Sequence, residues 1–99
     1  MKDKYVLRLY VAGKTAQAER AIADLTRLCE RELAGRYRVE VIDVVEDPSA
    51  AEQDKIMATP TVVKHLPPPV RRVIGDLSRA GEVLVGLDIV PLESGPQGK

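Results

Sequence analysis

The chain has 99 residues, with 15 basic and 15 acidic side chains, one cysteine, three tyrosines and neither Phe nor Trp. That length makes a single domain whose core must be built from Leu, Val, Ile and Ala. Zero net charge argues against a nucleic-acid binder, which needs a broad basic footprint and stacking aromatics, and a lone cysteine excludes a disulfide-stapled secreted fold.

The opening "MKDKYVLRLYVAG" does not read as a signal peptide, because Arg8 interrupts its short apolar run. No segment approaches the roughly 18 apolar residues that span a bilayer. The expectation is a cytoplasmic protein with no membrane or nucleic-acid partner. "YVLRLYVA" (5–12) reads as a strand, with Tyr5, Leu7, Leu9 and Val11 on one face and Val6, Arg8 and Tyr10 on the other. Gly13 ends it and Thr15 is a helix N-cap. Ala18, Ala21, Ile22, Leu25, Leu28 and Cys29 then recur at intervals of three and four, one apolar stripe of a helix reaching Leu33, and Gly35 supplies the stop. "YRVEVIDVV" (37–45) is a second strand. Strand, helix and strand over some forty residues make a βαβ unit with parallel strands.

The second half is ambivalent. Asp47-Pro48 offers a cap followed by proline at the first helical position, with Ser49 and Glu52 as a rival capping box, for a short helix over about 49–56. "TPTVVKHL" reads as a strand halted by Pro67, Pro68 and Pro69. "VRRVIGDL" fits either type, and in "GEVLVGLDIV" the valines favour a strand while the leucines permit a helix. The tail "PLESGPQGK" reads as disordered, flexible from residue 93 onward.

Several local motifs carry no chemistry. "AGKT" (12–15) ends like a P-loop, but Arg8 stands where the first glycine belongs, so it is a strand-to-helix turn. Cys29 lies on the apolar stripe and reads as a small buried hydrophobe. His65, with no Cys, second His or paired carboxylate beside it, reads as a surface side chain and not a metal ligand. Neither a metal nor a cofactor is expected. The segment 64–75 carries Lys64, Arg71 and Arg72 without an acid, which suits an acidic protein surface.

"KIMATPTVVKHL" looks like the cis-proline loop of a thioredoxin-like domain, although the first βα turn lacks the Cys-x-x-Cys pair of an oxidoreductase. The blocks "YVLRLYVAGKT", "VIDVVEDPSAAEQDKIMATPT", "LPPPVRRVIGDLS" and "VLVGLD" are more specific. Their order and spacing resemble the circadian clock protein KaiB family over residues 4–90. The resemblance implies a single domain over 1–92 and no enzymatic activity. It also implies binding to the N-terminal ring of a hexameric KaiC-like ATPase, modulating its phosphorylation and ATPase cycle. It implies an α/β fold whose C-terminal half is metamorphic. A homodimeric or homotetrameric ground state of order βαββααβ would exchange with a monomeric thioredoxin-like state of order βαβαββα.

On that resemblance, Lys55, Lys64, Arg71 and Arg72 are the expected partner-binding residues. Pro60, as the cis-proline, is an expected fold-switch position, together with Pro67, Pro68, Pro69, Gly86 and Asp88. Gly86 and Asp88 would lie within and near the C-terminal end of the alternative helix, where a glycine costs stability and an acid opposes the macrodipole. Two departures from cyanobacterial members speak against KaiA as a partner: the short, nearly neutral tail, and Glu40 where a basic residue is usual. The alternatives are a sensory module docking on a histidine kinase and a degenerate thioredoxin-like oxidoreductase.

Overall fold

Alternating Tyr, Leu and Val make Tyr5–Val11 (β1) an interior strand of a four-stranded sheet of order β2-β1-β3-β4. The computed structural model describes residues 5–90, so the tail expected from residue 93 lies outside the described residues. Helix α1 (Ala16–Leu33) returns the chain to β2 (Tyr37–Asp43), which pairs parallel with β1 as the βαβ spacing requires. Thr15 caps α1 by accepting from the Ala18 amide at 3.0 Å. Its end is made by two successive left-handed residues, Ala34 (φ 51°) and Gly35 (φ 78°), so the stop begins one residue before the expected glycine.

β2 ends two residues before the expected boundary. The Asp43 side chain accepts from the amides of Gly13 (2.8 Å) and Val45 (3.0 Å), turning the chain out of the sheet. Helix α2 (Pro48–Gln53) is shorter than the expected 49–56. Asp47 accepts from the Ala50 amide at 3.3 Å and from the Ser49 hydroxyl at 2.9 Å, so the aspartate wins over the rival capping box. β3 (Thr61–Leu66) then runs antiparallel to β1.

The two ambivalent segments resolve by packing. Arg71–Ile74 is a strand, β4, because it pairs antiparallel with β3. Ala80–Gly86 is a helix, α3, because Val83 with Leu87 and Ile89 just beyond it enters the core. The order is therefore βαβαββα, the second of the two expected. Leu7, Leu9 and Val62 of the sheet meet Leu25, Leu28, Cys29 and Leu33 of α1 in the same buried cluster. Truncating one such leucine to alanine costs about 2–5 kcal/mol. α1 and α3 thus cover one face of the sheet, while α2 lies over the other and buries none of its residues. Among the described residues no helix is long and apolar enough to cross a membrane.

Candidate interaction surface

The strand registers place Glu40, Arg8, Val63 and Arg72 side by side across the face beneath α2. Alternation dictates this, since these positions are out of phase with the core-facing Leu7 and Leu9. Arg8 Nε donates to Glu40 Oε1 at 3.0 Å, and Arg38 Nη1 lies 3.4 Å from Glu40 Oε2. Asp54, the residue closing α2, takes a hydrogen bond on Oδ2 from the Tyr10 hydroxyl. The same oxygen is 3.7 Å from Arg8 Nη1 and 3.4 Å from His65 Nε2. Burial first, and then the bond to Asp54, push the Tyr10 phenol up, so it stays a neutral donor.

Of the four basic residues expected to bind a partner, two come together. Lys55 is exposed in a left-handed turn (φ 55°) beyond α2, and Arg72 reaches that turn from β4. Its Nη2 donates to the Asp54 carbonyl at 2.8 Å and its Nη1 to the Lys55 carbonyl at 3.3 Å. Arg71 is exposed but falls on the opposite face by strand alternation. Lys64 corrects the expectation outright: it is 1% exposed and cannot belong to a surface patch. Its register partner is the core residue Leu7, so it points beneath α3, where Nζ donates to the Asp88 carbonyl at 3.2 Å. Desolvation lowers its pKa; the nearby Asp88 carboxylate works against that shift.

The fold-switch candidates are also placed. The Thr59–Pro60, Leu66–Pro67 and Pro68–Pro69 peptide bonds are cis. Pro60 is buried and its carbonyl accepts from the Gly75 amide at 2.8 Å, while Pro67, Pro68 and Pro69 form the β3–β4 connection. Gly86 is the last residue of α3, and a Cβ built on it would stand 2.6 Å from Val73 Cγ2. Asp88 lies outside the helix, two residues past its end, in a left-handed conformation (φ 56°). An arginine there would act on the macrodipole only against the backbone preference of that position.

Sequence reasoning missed Asp54, Tyr10 and Arg8 as a unit, and took His65 for a plain surface side chain. His65 is half-buried, and its Nε2 makes no hydrogen bond among the described residues. The available signal was the pair Arg8 and Tyr10, two positions apart on the strand face away from the leucines. The first βα turn holds no sulfur, and burial pushes the Cys29 thiol up to about 12, leaving it without the thiolate that redox exchange requires. Beside Pro60 an open cleft of about 320 Å³ is lined by Gln17, Arg20, Asp24, Asp76 and Leu77 among others.

Comparison with known proteins adds the family. The KaiB domain model matches residues 8–89. The chain is 52% identical over 89 residues to the circadian clock protein KaiB3 of Synechocystis sp., covering 90% of this chain and 87% of that protein. It is 52% identical over 99 residues to the circadian clock oscillator protein KaiB of Thermostichus vulcanus, covering 100% and 92%. Among solved structures, the N-terminal domain of Synechococcus elongatus SasA superposes with a TM-score of 0.69 at 22% identity, covering 89% of this chain and 87% of that one. The thioredoxin Deadhead of Drosophila melanogaster superposes with a TM-score of 0.66 at 20% identity, covering 86% and 82%. These two show a thioredoxin-like fold.

Proposed function

The chain belongs to the KaiB family, and from that premise we propose that it is a non-enzymatic clock-type regulator docking on the N-terminal ring of a hexameric KaiC-like ATPase. The observation that carries this reading is the exposed Lys55 turn, held by Arg72 on the sheet face beneath α2. It presents a cation beside the exposed Met57, a pairing of charge and apolar contact suited to an acidic protein surface. The sulfur-free first turn and the buried thiol of Cys29 support a binding role over an oxidoreductase. In this reading the state described is the binding-competent monomer, in exchange with an oligomeric packing in which the C-terminal half is rearranged. Glu40, already paired with Arg8 and Arg38, supports the view that KaiA is not a partner.

The test is a titration of the chain against a purified KaiC-like hexamer. Lys55→Glu is expected to weaken binding by at least ~2 kcal/mol, roughly thirtyfold. Arg72→Glu is a poorer probe, because it also removes both hydrogen bonds to the α2 turn. An unchanged dissociation constant for Lys55→Glu would remove this turn from the interface.

A further inference from the structure

α2 has six residues, too few to hold as a helix by itself, and buries none of its own. On the sheet face beneath it Tyr10 and Val63 are buried, and the rest of its hold on the sheet is polar. Its N-terminal bonds are local: Asp47 caps its own helix, and the Glu46 and Asp47 amides donate to the Asp43 carbonyl at 3.1 and 2.9 Å. Its bonds to β1 and β4 converge on its C-terminal turn. The Tyr10 hydroxyl donates to Asp54 Oδ2, Arg8 Nη1 stands 3.7 Å from that oxygen, and Arg72 spans the carbonyls of Asp54 and Lys55. His65 on β3 faces the same oxygen without a hydrogen bond, and Glu40 on β2 faces it only through Arg8.

We propose that Asp54 is the hub of a polar clasp that straps α2 to the sheet, so that α2 opens and closes as a unit while the sheet and its α1–α3 core stay intact. The opposite sheet face carries the apolar cluster and needs nothing from α2. Lifting α2 breaks these polar contacts and uncovers Tyr10 and Val63 but leaves the larger cluster on the other face packed. The opening therefore costs less than global unfolding, and a six-residue helix freed from the sheet does not keep its own bonds. The Lys55 turn moves with it. The inference concerns the fold, and stands whether or not the partner is a KaiC-like ATPase.

Hydrogen exchange on the full chain decides it. The Asp54, Lys55 and Ile56 amides, which close α2 onto the Ala50, Glu52 and Ala51 carbonyls, are the reporters. In the unaltered chain they are expected to exchange faster than Leu9 and Val62 amides, with a clearly weaker dependence on urea, because the opening exposes less surface than global unfolding. Asp54→Asn and Tyr10→Phe, each close in shape to the original, should each speed the reporters about tenfold or more, the factor a lost charge-assisted hydrogen bond carries, and leave Leu9 and Val62 unchanged. Reporters that share the urea dependence of Leu9 and Val62 in the unaltered chain would overturn the strap. So would variants in which all these amides accelerate equally, or in which the reporters do not respond.

Discussion

Asp43 and Lys64 each anchor a polar group where the chain changes direction, and they do so with opposite electrostatics. Asp43 accepts from the Gly13 and Val45 amides, and the Gly13 bond first, then Val45, holds its carboxyl below the usual carboxylate range. A carboxyl lowered in the fold contributes stability above its unfolded pKa, and loses it as pH falls through its lower folded value. The Gly13 and Val45 amide shifts are therefore expected to titrate together, with a midpoint below 3.8. Asp43→Asn should abolish that step; a midpoint at or above the ordinary value would remove the anchor. Lys64 instead takes a cation out of water for one carbonyl hydrogen bond. Its place near the C-terminal end of α3, where helix carbonyls point outward, offsets part of that desolvation.

At the scale of the element, α3 and β4 decide each other through Gly86 and Val73. Replacing glycine by alanine in a helix is worth about 1 kcal/mol, a fivefold change in population, when the new methyl group meets nothing. Here it meets Val73 Cγ2 at 2.6 Å, on a β-branched side chain that has little freedom to rotate. Gly86→Ala alone is therefore expected to raise the helical population of 83–86 by clearly less than fivefold. In a Val73→Ala background the gain should be larger, relative to Val73→Ala itself, with the interior factor as its ceiling because Gly86 is the last helical residue. NMR secondary shifts of Val83 to Val85 in the four chains of this cycle give the answer. Additive effects would mean that the contact between Gly86 and Val73 carries no weight.

The whole molecule leaves Met57, Val70, Ile74, Val85 and Val90 exposed. The oligomeric packing proposed above would have to cover part of them. If the oligomeric packing exists, mass action makes the balance depend on concentration. Dilution should move the secondary shifts of residues 83–90 toward the helical pattern of α3, in step with a fall in sedimentation coefficient. Shifts that stay fixed while the sedimentation coefficient falls would separate self-association from any change of fold.

The first half of the chain was legible because its signals are local. The alternation of Tyr5 to Val11, the three-and-four spacing from Ala18 to Cys29, and the Thr15 cap all lie within one element. Each matches a period that only one backbone conformation repeats. The family blocks were legible as well, since order and spacing are properties of the sequence alone. The four-residue β4 and seven-residue α3 are too short for periodicity to choose between strand and helix. Pairing with β3 and burial of Val83 and Leu87 made the choice. The same holds for the side chains. Lys64 reads as a surface cation until the register sets it opposite Leu7, and Tyr10 and Asp54 meet across 44 residues of chain. Contacts of that range depend on how the sheet is assembled and on which face each helix takes, so the α2 clasp and the division of the basic residues were decided by tertiary structure alone.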